Sequence, residues 1–414
     1  MTLEIEKLTA DLEQMALTTA RRYLLRQERL DEALAALATY RTNWTAVSQA
    51  LSLAHKKADP KLYRAARPFD DKEPLDTAID APVPPPQATI LATDGSQILP
   101  DRHAAYLYYL INVGGIIYHH GDSRGHGDSR GLGSSRAPET FAVPKLVYPP
   151  DDNNLDDFNS SSGAVSIERD LLEIDTLARQ TFHHRHDSDI VLAVLDQRLL
   201  YWPIGSAGVA ENAAVTEWGS SMTGIRQAGA LLCGYIDRPG TSAVTTLLKS
   251  VTAVSDPTFI WRTLGTQKAT QGLTDRDLFG ALLAPGQRSK VFVYVSPPNE
   301  TFAAQDPANE VCFFYVNPAT HGRAIARVDI PRWVAEDEGA VTAVHALIID
   351  QCRLLGDYPY VLARADETAV VGRQDAAELN FMIDIIMERH GIREGITAKQ
   401  GSKDIARGGR TRFK

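Results

Sequence analysis

Apolar residues recur at helical spacing through the first part of the chain: Ile5, Leu8, Leu12 and Met15, then Leu30, Leu34 and Leu37. Neither glycine nor proline interrupts them before Pro60. The pattern predicts helix over residues 2–57, an arm that packs or dimerises. The proline-rich stretch DAPVPPPQ at 80–87 is a stiff connector. Beyond it the period changes. ATILATDGS (88–96) is an apolar run that ends on Asp94-Gly95, which reads as a strand finishing on a carboxylate. AAYLYYLINVGGIIYHHG (104–121) reads as two strands joined by a turn at Gly114-Gly115.

Further along, SIERDLLEIDTLARQTF (166–182) has the stripe of an amphipathic helix, with Ser166 placed to cap its start. DIVLAVLDQRLLYW (189–202) contains a buried strand that again ends on an aspartate, Asp196. AGALLCGYIDRP predicts a strand and TSAVTTLLKSV a helix. Three successive, antiparallel strands are expected from SKVFVYVSPP, NEVCFFYVNPA and GRAIARVDIPRW. Helices are expected at VTAVHALIIDQCRLLG and DAAELNFMIDIIMERHG. Two polar stretches punctuate the chain: a Gly-Asp-Ser-Arg-Gly repeat within 121–136, and YPPDDNNLDDFNSSSG at 148–163. Both are expected to be flexible insertions. The domain plan is a helical arm and linker (1–80), one α/β domain (85–395) and a basic tail (396–414).

Of the 414 residues, 44% are hydrophobic and 23% charged, which fits a soluble globular protein. The net charge of −9 argues against coating nucleic acid through bulk charge and leaves a local basic channel open. Cys233, Cys312 and Cys352 are scattered, with neither zinc nor disulfide spacing, so a reducing, cytoplasmic setting is expected. The acidic N-terminus lacks the apolar core of a signal peptide, and no long apolar run suits a membrane span. No phosphate-binding G-x-x-x-x-G-K-[ST] motif occurs, so any coupling to ATP must come from a partner.

The candidate chemistry lies in the order of the acids. Asp94 at one strand end, Glu173 on a helix and Asp196 at a second strand end meet if the two strands are parallel neighbours. Three carboxylates that close repel one another unless a cation holds them ionised, and hard oxygen donors suit Mg²⁺ or Mn²⁺. Such ions serve phosphoryl transfer. Strand, hairpin, helix, strand with Asp, Glu, Asp in that order is the order of the ribonuclease H-like nucleases. His183, His184 and His186 sit in a polar connector, and His321 in a turn. Arg238 and Lys249 suit either a phosphate path or surface ion pairs; Trp202 and Tyr235 suit core packing better than base stacking.

The segments ATDGSQ (92–97), VLAVLDQRLLYW (191–202), GYIDRPGTSAV (234–244), RAIARVDIPRWV (323–334) and YPYVLARADETAVV (358–371) resemble, in order, the NurA family of DNA-repair nucleases. The resemblance spans roughly residues 85–400. It implies a ribonuclease H-like mixed α/β sheet flanked by helices, Mn²⁺-dependent 5'-to-3' exonuclease and single-strand endonuclease activity, a homodimer, and a hexameric translocase partner, HerA. It also implies metal-site roles for Asp94 and Asp196, with Glu173 (Glu168 the alternative) as the helix acid. Tyr358 matches the family's tyrosine. Where the family carries a histidine eight residues later, this chain has Asp366, which suits a metal ligand better than a proton donor at neutral pH. The rival reading is a weak or inactive scaffold that binds DNA or the ATPase.

Overall fold

The computed structural model describes residues 5–101, 104–121, 136–149, 162–203, 209–266, 272–320, 322 and 324–392. Most of the two polar insertions, the His321 turn and the basic tail lie outside the described residues. The helices are α1 (Thr9–Tyr40), α2 (Trp44–Lys57), α3 (Ser162–His183), α4 (Val209–Gln227), α5 (Ala243–Ala253), α6 (Asp275–Leu282), α7 (Pro297–Gln305), α8 (Arg332–Ala335), α9 (Glu338–Leu355), α10 (Tyr360–Ala369) and α11 (Arg373–Arg389). The strands are β1 (Ala65–Pro68), β2 (Ala78–Ile79), β3 (Ala88–Ile98), β4 (Tyr109–His120), β5 (Glu139–Val147), β6 (Val191–Leu195), β7 (Leu231–Ile236), β8 (Arg288–Ser289), β9 (Phe292–Val295), β10 (Val311–Val316) and β11 (Ala326–Pro331). The expected fold class holds: a mixed α/β structure whose strands are flanked by helices, with helices at the N-terminus.

The contacts divide the chain into two compact units. The first comprises the residues up to Pro85, Gln197–Leu200 and Cys233–Pro359. Its strands run β1-β9-β10-β11-β7, each pair antiparallel. All six residues of β10, VCFFYV, are buried, as a central strand covered on both faces requires. The single helix expected over residues 2–57 breaks after Tyr40. The side chain of Asn43 accepts the Ala46 N–H at 3.1 Å and starts α2. Leu37, Val47 and Ala50 from these helices bury against Val244, Leu247, Phe279 and Phe313. The C-terminal part of the arm is therefore core of this unit.

The second unit comprises Pro86–Asp196, Tyr201–Leu232 and the chain from Tyr360 onward. β3, β4 and β5 form an antiparallel meander, and β6 joins the free side of β3 in parallel. A parallel partner needs a crossover, which α3 provides. Three expectations need correction. β3 does not end at Asp94 but continues to Ile98. β4 passes straight through Gly114-Gly115, because the partner positions Asp94 and Thr93 keep both residues in register. Helix α3 begins at Ser162; Ser166 lies inside it, donating its hydroxyl to the Ser162 carbonyl at 3.0 Å instead of capping. Among the described residues no helix is long and apolar enough to cross a membrane.

Candidate metal centre

Residues Ala88–Thr93 of β3 are buried, and half-buried positions begin at Asp94. The parallel pairing with β6 stops at Thr93 opposite Leu195. Asp94 and Asp196 are the next residues after this pair; Asp196 lies in the bend after β6, and its charge acts on Asp94. Asp94 is the interior residue at which one neighbour strand gives out, which answers why an apolar strand carries a carboxylate there.

Two glycines let two helices close on this point from opposite faces. Gly114 stands directly across from Asp94. A Cβ on Gly114 would lie 2.2 Å from the Ala369 backbone nitrogen, so the end of α10 rests on bare strand. The Ala369 carbonyl then accepts the Ser96 hydroxyl at 2.5 Å and the Asn112 side-chain amide at 2.8 Å. This seat brings Asp366, one turn earlier on α10, to a hydrogen bond with Asp94. On the other face, a Cβ on Gly95 would lie 2.8 Å from Arg169 Cγ and 3.3 Å from Glu173 Oε2, both on α3. The Glu173 carbonyl accepts the Thr93 hydroxyl at 3.2 Å. The space beside Gly95 holds the Arg169 stem and the Glu173 carboxylate, which leaves none there for an approaching phosphate.

Burial, above all, pushes the Asp94 carboxyl up to about 6; the Gly95 N–H works against this, while the hydrogen bond to Asp366 and the charges of Asp366 and Asp196 add to it. Glu173 is only 4% exposed. Burial disfavours the Arg169 charge, but the carboxylates of Asp170, Glu173 and Asp94 outweigh it and hold the guanidinium protonated. Arg169 donates to Asp170 through Nε at 3.1 Å and Nη2 at 2.6 Å. The alternative helix acid, Glu168, is engaged elsewhere: it accepts the Tyr109 hydroxyl and pairs with Lys145 Nζ at 2.6 Å.

Asp366 hydrogen-bonds Asp94 and the Asp196 charge acts on Asp94, while Glu173 reaches the same stretch of β3 from the other face. Tyr358 belongs to the first unit, where its ring stands edge-on to Tyr235 at 5.6 Å. The donors are carboxylate oxygens, which suit Mg²⁺ or Mn²⁺. Among the described residues no three Asp, Glu, His or Cys side chains are gathered closely enough to hold an ion together. The hydrogen bond between Asp94 and Asp366 offsets part of the repulsion between them. The elements that sequence reasoning missed are the two glycine seats and the charge role of Arg169. Their signals were present: a Gly-Gly inside a β-branched run, and an arginine one turn before the helix acid.

The NurA domain model matches residues 88–371, more than half of the chain. The chain belongs to the NurA family. No curated protein matches it in sequence. Solved structures similar to it include the NurA nuclease from Sulfolobus solfataricus, 12% identical with a TM-score of 0.47 over 94% of this chain and 98% of that one. A NurA crystallised with manganese is 8% identical, with a TM-score of 0.36 over 75% and 91%. The NurA match covers both glycine seats and all five proposed site residues.

Proposed function

We propose that the chain is a divalent-metal-dependent DNA nuclease that hydrolyses phosphodiester bonds. The observation that carries this reading is that Asp366 and Asp196 both act on Asp94 where β3 loses its parallel partner, with the Asp94 carboxyl raised to about 6. Membership of the NurA family supports DNA as the substrate. Asp94, Asp196 and Asp366 would hold Mn²⁺ or Mg²⁺, and Glu173 would complete the set through the gap at Gly95. The bound ion supplies activation of water and stabilisation of the leaving oxygen. Arg169 balances the carboxylates and keeps α3 against Gly95. Tyr358 is assigned to hold a phosphate oxygen or to orient the attacking water. The finer assignment is 5'-to-3' exonuclease and single-strand endonuclease action in end resection, by a homodimer working with a HerA-type hexameric ATPase.

Digestion of fluorescently labelled DNA with Mn²⁺, Mg²⁺ or EDTA tests this reading. Cleavage is expected with the metals, absent in EDTA, and reduced at least about a thousandfold in Asp94→Ala. Asp366→His restores the family's residue at that position, and higher activity in that variant would show that the aspartate weakens this member. The rival reading is a scaffold that binds DNA or the ATPase without cleaving. It holds if wild type binds DNA and cleaves none under any metal.

A further inference from the structure

The first unit holds a cavity of 1010 Å³ beside α1 and α6, built from none of the acids discussed above. Three guanidinium groups line it: Arg26, Arg238 and Arg276. Asp277 faces it as well, but that carboxylate is already engaged. One oxygen accepts the Thr274 N–H and hydroxyl at 3.0 and 2.7 Å, and the other lies 3.7 Å from Arg26 Nη1. Asp357 is the second acid in the lining. Arg238 has its sequence neighbour Asp237 as an ion partner, at 3.6 Å. Among the described residues the Arg276 side chain makes no ion pair or hydrogen bond.

Arg238 also holds its backbone in the left-handed region, at φ 46°, the one non-glycine residue described there. That conformation costs on the order of 1 kcal/mol and persists at sites where it places a side chain for use. Tyr23, 60% exposed, adds an aromatic face at the rim. In a chain of net charge −9, a cavity with three guanidinium groups, of which Arg276 has no ion partner among the described residues and Arg238 only an exposed one at 3.6 Å, is a local anion site. Arginine forks match phosphate oxygens, and an exposed aromatic ring takes a base. The volume is ample for one nucleotide.

We infer that this cavity binds a nucleotide, with its phosphate on Arg238 and Arg276 and its base against Tyr23. The nucleotide is either free or the terminal unit of a single strand, since both present the same phosphate and base.

Calorimetric titration of the full chain in EDTA, where no cleavage occurs, tests the site. The probes are dTMP, thymidine and a 5'-phosphorylated oligothymidylate. dTMP is expected to bind at least about tenfold more tightly than thymidine, with Arg276→Ala and Arg238→Ala each weakening dTMP about tenfold. Tighter binding of the oligonucleotide than of dTMP assigns the site to a strand end; equal or weaker binding assigns it to the free nucleotide. Arg238→Gly separates binding from folding, because glycine adopts φ 46° without strain. That variant is expected to melt at or above wild type and yet bind dTMP more weakly. Arg353→Ala, an exposed arginine outside the cavity, should leave dTMP binding unchanged. Failure of dTMP to bind wild type, or unchanged affinity in Arg276→Ala and Arg238→Gly, overturns the inference. Asp94→Asn should retain dTMP binding, so the outcome is independent of whether the carboxylate cluster supports cleavage.

Discussion

Gly95 lies under a stem and a carboxylate, with no room for a methyl group: the nearest atom to an added Cβ is Arg169 Cγ, at 2.8 Å. Gly95→Ala should therefore shift Arg169 and Glu173 together. The expected result is cleavage reduced about tenfold or more, with a much smaller change in melting temperature. Gly224 is the contrast, since an added Cβ in that helix approaches only Ala178 Cβ, at 4.0 Å. Gly224→Ala should be neutral or stabilise by about 0.5–1 kcal/mol, read by denaturant unfolding. His345 gives a pH-dependent prediction. It is 1% exposed, with Nε2 donating to the Gly286 carbonyl at 2.8 Å. Burial lowers its pKa from the usual 6.5 to about 4, with the Gly286 bond opposing and Arg288 assisting. The unfolded chain therefore takes up its proton first. Stability from this group is complete above pH 6.5 and is lost as pH falls toward 4, by up to about 3 kcal/mol. His345→Gln should flatten the stability profile across that window; an unchanged slope would contradict the assignment.

At the scale of elements, α10 depends on the bare backbone at Gly114. The atoms an added Cβ would strike are the Thr368 and Ala369 main chain, which no rotamer change can move aside. Gly114→Ala is expected to destabilise by about 3 kcal/mol or more, measured by urea unfolding, and to separate Asp366 from Asp94. The elements themselves were largely legible in the chain. The period-3.6 stripe of α3, the apolar run of β6 and the three antiparallel strands β9, β10 and β11 all follow from local pattern. What local pattern does not carry is which backbone lies against which. Gly114-Gly115 reads as a turn because the reason for the glycines, a helix some 250 residues later in sequence, is invisible nearby. Asp94 reads as a strand end for a related reason: apolar character stops where β6 stops, while backbone pairing with β4 continues to Ile98. The order Asp94, Glu173, Asp196 was legible; the approach of Glu173 from the opposite face was not, since it depends on the glycine gap.

For the whole molecule, the net charge of −9 means that the proposed DNA substrate would have to be met by local basic surface. Binding of a labelled strand in EDTA should weaken steeply as salt rises, giving a straight line of log affinity against log salt whose slope counts the phosphates engaged. A flat profile would remove electrostatic contact with a DNA backbone from the account. The proposed nuclease depends most of all on the carboxylates acting together on one ion. Titration of Mn²⁺ into the full chain, followed by the loss of free-ion electron paramagnetic resonance signal, tests that directly for wild type, Asp94→Asn and Asp366→Asn. Saturable binding by wild type, weakened at least about tenfold in each variant, is the result the account predicts. Equal affinity in all three proteins, or no saturable binding in wild type, would contradict it.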